Sequence, residues 1–151
     1  MALGDKAYLA AQSCYIIVAN NNNEWLFIHR ANTGYQDGLW SLPGGHVRDN
    51  EPINYAAARE ANEEIGIDID PTTLELVYTL QRNKRQEGIE DRVDHYFMVH
   101  NLKIAPQNME PIVHDAIKWM NPAALPGETV EYIKLVCDRI AQGYRFGLYN
   151  W

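Results

Sequence analysis

Apolar and polar stretches alternate along the chain in a pattern that predicts a mixture of strands and helices. Residues 7–19 are rich in Tyr, Ala, Ile and Val, and residues 24–30 form a second apolar run, so each predicts a strand. The four asparagines at positions 20–23 predict a hairpin turn between them, because asparagine tolerates the left-handed backbone region. Later apolar runs predict further strands at residues 73–81, 92–101 and 112–120.

The segment after residue 48 carries the signals of a helix. Asp49 or Asn50 would cap its start, Pro52 falls in the first turn where a missing N–H does no harm, and Gly66 ends it as a left-handed cap. Apolar positions recur at every fourth residue and predict a stripe that packs against a sheet, formed by Ile53, Ala57, Ala61 and Ile65.

A second helix is predicted near the end of the chain, at about residues 128–142, after Pro126 and Gly127 and before Gly143. The order of strands, helix, strands and helix predicts an α+β fold. A chain of 151 residues that is 46% hydrophobic has the usual size and make-up of one domain, so residues 1–151 are predicted to form a single domain.

The polar feature that bears most on function is a group of glutamates in the first predicted helix. Glu60, Glu63 and Glu64 stand at i, i+3 and i+4, which places three carboxylates on one helix face. Like charges at this spacing repel by about a few tenths of a kcal/mol per pair. A divalent cation that prefers oxygen ligands would remove this repulsion, so the face predicts a metal site.

These glutamates belong to a longer pattern with fixed spacing, made of Gly45, Glu51, Arg59, Glu60, Glu63, Glu64 and Gly66. The pattern spans 23 residues and follows the segment Trp-Ser-Leu-Pro-Gly-Gly at positions 40–45. It resembles the signature of the Nudix (MutT-type) hydrolases. The resemblance implies an αβα sandwich with a mixed β-sheet between helices, and an enzyme that hydrolyses phosphoanhydride bonds.

The resemblance also implies a set of metal ligands, which are one backbone carbonyl and several carboxylates: Gly45, Glu60, Glu63, Glu64 and Glu110. Asp91 and Asp94 are weaker candidates for the place of Glu110. Mg²⁺ is expected, with Mn²⁺ as a substitute, because both suit oxygen ligands and the sequence offers no thiolate or imidazole cluster. The base that activates the attacking water is Glu60 or Glu63, and Glu60 is preferred.

Arg59 is predicted to assist catalysis by orienting an acidic side chain, since it stands four residues before Glu63 and carries a rigid guanidinium fork. The alternative is a plain surface ion pair. Glu51 is predicted to be structural, because the helix dipole favours an acidic residue in the first turn and the resemblance implies a bond to the glycine loop.

Phosphate contacts are predicted for Arg30 and the backbone of Gly44, and further candidate cations are Lys84, Arg85 and Arg92. Base or leaving-group recognition is assigned to stacking on Tyr35 or to a hydrogen bond from Glu128, with Trp40 as an alternative to Tyr35. His46 is predicted to shape the glycine loop, and the other histidines, His114 among them, show no ligand spacing.

The charge balance constrains the partners. A net charge of −7 argues against holding nucleic-acid polymers by general phosphate neutralisation, so a small nucleotide is the expected partner.

Cys14 and Cys137 are far apart and are predicted to be buried free thiols. With no signal peptide or membrane-length apolar run recognised, a cytoplasmic protein without a membrane partner is expected. A homodimer is left as an option.

The leading hypothesis is Mg²⁺-dependent hydrolysis of a nucleoside diphosphate linked to another group, in first place a nucleoside triphosphate or modified triphosphate, to the monophosphate and pyrophosphate. Alternatives are ADP-ribose, a nucleotide sugar, a dinucleoside polyphosphate or an RNA 5′ end. A non-catalytic nucleotide-binding sensor is another class, but such modules are expected to lack signature carboxylates that this chain retains.

Overall fold

A computed structural model of the chain describes residues 7–84, 87 and 89–151. The described strands are β1 (Ala11–Val18), β2 (Trp25–Arg30), β3 (Trp40–Ser41), β4 (Gly44–His46), β5 (Glu75–Arg82), β6 (Arg92–Val99), β7 (His114–Met120) and β8 (Phe146–Tyr149). The α-helices are α1 (Ile53–Ile65) and α2 (Glu131–Ala141), and a short 3-10 helix forms at Pro71–Thr73. Neither α-helix has the length and apolarity needed to cross a membrane.

The strands form two sheets. The larger sheet has five strands in the order β4-β1-β6-β5-β8 and is mixed, because β1 runs parallel to β6 whereas β6 runs antiparallel to β5. The smaller sheet has three antiparallel strands in the order β3-β2-β7. The predicted α+β fold with a mixed sheet is confirmed.

Strand β1 separates two apolar cores, because its successive side chains point to opposite faces of the sheet. Cys14 and Ile16 belong to the core that α1 covers, and Ile17 belongs to the core that α2 covers. The residues that α1 buries completely in its core are Ala56, Ala57, Ala61 and Ile65. The large sheet therefore lies between the two helices, and the predicted apolar stripe faces it.

Helix α1 begins later than predicted, and neither Asp49 nor Asn50 caps it. Pro52 is the N-cap residue, at φ −62° and ψ 142°. Asn50 has a left-handed φ of 57°, in a turn closed by a 3.2 Å hydrogen bond from the Glu51 N–H to the Arg48 carbonyl. This reversal separates both candidate caps from the helix, so the predictions of the cap and of Pro52 inside the first turn were wrong.

Two other predicted turns are confirmed. Gly66 ends α1 in the left-handed region at φ 68°. The asparagine tract forms the turn between β1 and β2, where the Asn20 N–H donates to the Glu24 carbonyl at 2.9 Å and Asn23 has a φ of 58°. Each longer predicted strand is also present, with ends that differ by a few residues.

Helix α2 begins at Glu131, because the preceding residues are extended beside β3. The Trp40 N–H donates to the Glu128 carbonyl at 2.8 Å, and the Val130 N–H donates to the Trp40 carbonyl at 2.9 Å. The prediction of a helix from residue 128 was therefore wrong at its start, whereas Gly143 follows its end at φ 85°. Strands β3, β4 and β8 were not predicted. Each has only two to four residues, and a segment that short shows no periodic pattern of apolar residues.

Candidate active site

Strand β4 places two glycines against the side of α1. Glu64 Oε2 accepts a hydrogen bond from the Gly44 N–H at 2.8 Å. The Glu60 carboxylate lies directly beside Gly45, since a Cβ added to Gly45 would lie 2.6 Å from Glu60 Cδ. Only glycine at position 45 lets the strand approach the Glu60 carboxylate this closely.

The Arg59 guanidinium ties the start of α1 to its acidic face. It donates to both oxygens of Glu51, at 2.7 and 3.0 Å, to Glu60 Oε1 at 2.7 Å and to Glu63 Oε2 at 3.0 Å. A further hydrogen bond of 3.0 Å reaches the His46 carbonyl, next to the glycines. With only 17% of its side chain exposed, Arg59 differs from a surface ion pair and orients several groups at once.

Glu51 is held in its charged form by this contact. The hydrogen bonds from Arg59 lower the pKa of Glu51 to about 2, although burial alone would raise it. Glu51 also accepts the Arg48 N–H at 2.9 Å, and thereby binds the loop between β4 and α1. Its contacts are those of a structural residue.

The signature carboxylates lie in unequal surroundings. Glu64 is 8% exposed, and burial raises its pKa well above the usual value. Burial also raises the pKa of Glu60, against the opposing effect of Arg59. The side chain of Glu63 is 40% exposed and contacts Arg59 and, at 3.4 Å, Arg48. The environment of Glu60 and Glu64 disfavours negative charge, and a bound divalent cation would supply the missing counter-charge.

Three side chains converge at one point of this face. Glu64, Glu110 and His114 each offer a ligand atom, and these atoms lie within 4.8 Å of one another. A main-chain turn brings the last two together, because the His114 N–H donates to the Glu110 carbonyl at 2.9 Å. The donors suit a divalent ion. The structure thus places Glu110 beside the signature, as the sequence predicted, whereas Glu60 and Glu63 are turned towards Arg59.

His114 is the residue that sequence reasoning missed. It lies at the start of β7 and is 2% exposed. Burial, and to a smaller extent the positive charge of Arg30, lowers the pKa of His114 to about 4, so the ring is neutral at neutral pH. Its Nδ1 has no hydrogen-bond partner among the described residues. In the sequence, the one feature that links His114 to the site is its position four residues after Glu110. This spacing indicates a shared site only when the turn between the two residues is known.

A cleft of about 880 Å³ opens over these carboxylates. The acidic groups and glycines described above line it, namely Gly44, Gly45, Glu60, Glu64 and Glu110. The basic and aromatic side chains Arg30, Tyr35, Lys84 and Arg92 line the same cleft. An anion that enters the cleft would therefore meet metal-binding groups and cationic side chains together.

The loop between β2 and β3 is shaped by Arg30. Its Nε donates to the Tyr35 carbonyl at 2.9 Å, and its Nη2 donates to Thr33 Oγ1 at 3.1 Å. The phenol of Tyr35 in turn accepts from Lys84 Nζ at 3.2 Å, and this ammonium lies 4.5 Å from the ring centroid. Arg30 and Tyr35 line the cleft but also hold each other in place.

Other predicted residues lie elsewhere. Glu128 is exposed, bonds Trp40 through its backbone, and is not among the described residues that line the cleft. Asp94 is fully buried and accepts two hydrogen bonds from Arg82, at 2.5 and 3.2 Å, so its carboxylate is already engaged. Asp91 is buried and accepts the Lys84 N–H at 2.8 Å. Arg85 lies outside the described residues.

The remaining predictions concern one histidine and two cysteines. His46 lines the cleft beside Gly45 but is not part of the converging group. Cys14 and Cys137 are buried and free, as predicted. The Cys14 thiol donates a weak hydrogen bond of 3.7 Å to the Gly45 carbonyl, and burial raises its pKa to about 12.

Comparison with known proteins agrees with this geometry. The NUDIX domain family matches residues 10–138. An ADP-ribose pyrophosphatase of Methanocaldococcus jannaschii is 26% identical over 122 residues, which are 69% of this chain and 72% of that protein. An 8-oxo-dGTP diphosphatase of Proteus vulgaris is 36% identical over 58 residues, 38% of this chain, and the match spans only 52% of that relative.

The fold has counterparts among solved structures. A MutT NUDIX hydrolase from Burkholderia pseudomallei superposes with a TM-score of 0.75 at 25% identity, covering 86% of this chain and 97% of that one. The family match covers most of the chain, and the glycine, arginine and glutamate residues of the signature are all present. The chain therefore belongs to the Nudix hydrolase family.

Proposed function

We propose that this protein hydrolyses a phosphoanhydride bond in a nucleoside diphosphate linked to another group, with the help of bound Mg²⁺. The observation that carries the proposal is the convergence of Glu64 and Glu110 in a cleft that Arg30 and Lys84 also line. Mn²⁺ would substitute for Mg²⁺, since both accept carboxylate and carbonyl oxygens.

Each residue has a role that follows from its contacts. Glu64 and Glu110 hold the metal, together with the Gly45 carbonyl and the predicted ligands Glu60 and Glu63. When bound, the divalent ion neutralises phosphate oxygens and acidifies a water molecule. Glu60 is the preferred base for that water, because burial raises the pKa of its carboxyl against the opposing effect of Arg59, and a more basic carboxylate accepts a proton more readily.

The basic side of the cleft binds the diphosphate. Arg30 lines the cleft at the point where β2 pairs with His114 of β7. Its guanidinium hydrogen-bonds the β2–β3 loop at the Tyr35 carbonyl and can orient that loop around an anion. Lys84 and Arg92 add positive charge farther along the cleft. Arg59 does not line the cleft among the described residues, and acts through the carboxylates that it orients.

A nucleoside triphosphate or modified triphosphate is the first proposed substrate, hydrolysed to the monophosphate and pyrophosphate. It is supported by the Proteus vulgaris relative, named an 8-oxo-dGTP diphosphatase. ADP-ribose is the second candidate, because the Methanocaldococcus jannaschii relative, named an ADP-ribose pyrophosphatase, matches a larger share of the chain. A nucleotide sugar, a dinucleoside polyphosphate and an RNA 5′ end remain lower-ranked alternatives.

The proposal is tested with the purified chain, Mg²⁺ and a panel of triphosphates, 8-oxo-dGTP, ADP-ribose, a nucleotide sugar and a dinucleoside tetraphosphate. Product release is followed by chromatography and phosphate detection. Glu64→Gln is expected to lower kcat/KM by about 100-fold or more. Glu75→Gln is the matched control, because Glu75 is half exposed and contacts His100 away from the cleft.

Two outcomes would contradict the proposal. Turnover that is unchanged in Glu64→Gln would remove Glu64 from the metal site. Binding of nucleotides without turnover of any of them would favour the sensor alternative.

The remaining assignments are part of the same proposal. A small nucleotide is the expected partner rather than a nucleic-acid polymer, given the net charge of −7. The two free, buried cysteines fit a reducing compartment such as the cytoplasm. A homodimer remains an option that sedimentation analysis would decide.

A further inference from the structure

We infer that the His114 imidazole is itself a metal ligand, so that one ion of the centre is held by a nitrogen and two carboxylates, a donor set that favours a first-row transition ion over Mg²⁺. This inference refines the proposed metal-dependent hydrolysis and rests on it. It departs from the all-oxygen donor set that the sequence predicts.

The position of the ring supports the inference. His114 Nε2 lies 3.7 Å from Glu64 Oε1, which is too long for a hydrogen bond. Nδ1 lacks a hydrogen-bond partner among the described residues, although the side chain is only 3% exposed. Nε2 is the nitrogen that faces Glu64, so it is the metal-binding atom of the ring, and Nδ1 carries the ring proton.

The separations fit ligands of one ion. Imidazole nitrogens and carboxylate oxygens bind first-row ions at about 2.0–2.2 Å, so two ligands at tetrahedral or octahedral angles lie about 3–3.5 Å apart. The 3.7 Å between His114 and Glu64 is close to this range, and Glu110 lies within 4.8 Å of both. Small side-chain rotations would close the set around an ion.

The chain around His114 fixes the ring in this place. Its carbonyl accepts a hydrogen bond from Asn108 Nδ2 at 2.6 Å, and its N–H donates to the Glu110 carbonyl at 2.9 Å. These two bonds hold the His114 backbone next to Glu110 and so keep the ring beside both carboxylates.

The donor set determines the class of ion. Imidazole suits transition ions, whereas Mg²⁺ strongly favours oxygen ligands. A site made of Glu64, Glu110 and His114 is therefore expected to bind a transition ion more tightly than Mg²⁺, which still binds there through the two carboxylates. The all-oxygen donors around Gly45 and Glu60 would still suit Mg²⁺, so the two ions can serve the same cleft.

The test is pulsed electron paramagnetic resonance of the full chain loaded with one equivalent of Mn²⁺, without nucleotide. Directly bound imidazole nitrogen gives a ¹⁴N modulation of the echo, which changes to a ¹⁵N pattern when only histidine is ¹⁵N-labelled. We expect this modulation in the wild type and its loss in His114→Gln. His46→Gln, which alters another histidine of the same cleft, is expected to retain it.

Equilibrium dialysis adds a second readout. His114→Gln is expected to weaken Mn²⁺ binding by about 10–100-fold. Mg²⁺ binding should change much less, because it does not depend on the nitrogen. Circular dichroism of the variant checks that the fold is retained.

The inference is overturned if wild-type protein with bound Mn²⁺ shows no histidine nitrogen coupling, a result that does not depend on any variant folding. Coupling that persists in His114→Gln overturns it as well. The proposed hydrolysis is judged separately by the nucleotide panel with Mg²⁺. Coupling without turnover would refute the hydrolysis alone, and turnover without coupling would refute the ligand assignment alone.

Discussion

Arg59 donates to both carboxylate oxygens of Glu51, at 2.7 and 3.0 Å, across the first two turns of α1. The side chains are 17% and 16% exposed, so water competes weakly with this pair. The remaining donors of Arg59 reach Glu60, Glu63 and the His46 carbonyl. The pair therefore fixes the start of the helix and, through the same planar group, orients the carboxylates next to the glycines.

Arg59→Lys is expected to lower kcat by about 10–100-fold with a smaller change in KM. A lysine keeps the charge but cannot reproduce the planar fork that holds Glu51 and Glu60 together. Steady-state kinetics on the best substrate of the panel measures both constants.

Arg48→Lys is the control for that variant. Arg48 also lines the cleft, but its side chain is 63% exposed and reaches Glu63 at 3.4 Å, so a lysine that keeps the charge should change kcat by less than about threefold. A loss of less than about threefold in Arg59→Lys, as small as in the control, would show that Arg59 contributes charge rather than orientation.

Those features that depend on local chemistry could be predicted from the sequence. Gly66 ends α1 as predicted, because a left-handed residue after an apolar helix has few alternatives to glycine. The family resemblance implied that Gly45, Glu60 and Glu64 share one metal site, and the structure brings these residues together. Glu110 was a harder prediction, because its contact with Glu64 depends on how a loop folds.

What escaped prediction depends on long-range pairing. Strand β8 forms only because β5 offers it an edge, with Phe146 opposite Thr79. Pro52 became the helix cap because the preceding turn is closed by Arg48 and Glu51. His114 enters the site through the β2–β7 pairing and a turn from Glu110, neither of which leaves a periodic trace in the sequence.

Gly45→Ala is expected to abolish most activity while leaving the fold largely intact. The added Cβ would meet the Glu60 carboxylate, with Cδ at 2.6 Å, and a side chain can rotate away at the cost of its place in the site. We expect a loss of about 100-fold in kcat/KM and a fall in unfolding free energy of about 1 kcal/mol.

Gly44→Ala, unlike Gly45→Ala, should cause a large loss of stability. Its Cβ would overlap the Cys14 carbonyl and lie 2.9 Å from Tyr15 Cα, which are backbone atoms that cannot move aside. Urea unfolding is expected to show a loss of about 3 kcal/mol. Gly127→Ala, with nothing within 4 Å of the added Cβ, is the neutral control. Equal stability of the Gly44 and Gly127 variants would contradict this packing.

Asp94→Asn is expected to destabilise the protein by about 3–5 kcal/mol, because it leaves the Arg82 guanidinium buried without its counter-charge. Arg82 is 4% exposed and lies 3.9 Å from the Tyr132 ring centroid, so it has little access to water. Urea unfolding measures the effect. Asp115→Asn, at a side chain that is 57% exposed, should change stability by less than about 1 kcal/mol. A small effect of Asp94→Asn would mean that Arg82 finds another acceptor.

Glu51→Gln is expected to remove a pH-dependent part of the stability. The pKa of Glu51 is lowered from 4.5 to about 2 in the folded protein, so the folded state binds fewer protons than the unfolded state between these values. The resulting stabilisation is fully present above about pH 4.5 and is lost as the pH falls towards 2. We expect the variant to be about 1–2 kcal/mol less stable than the wild type at pH 7. This is less than the full pKa shift implies, because Arg59 keeps its other acceptors.

Urea unfolding from pH 7 to pH 2.5 should show this difference in stability narrowing below pH 4.5. Glu75→Gln, at a half-exposed carboxylate, should show only a small difference at any pH. A difference between wild type and Glu51→Gln that stays constant through this range would show that shape, and not charge, is what Arg59 recognises in Glu51.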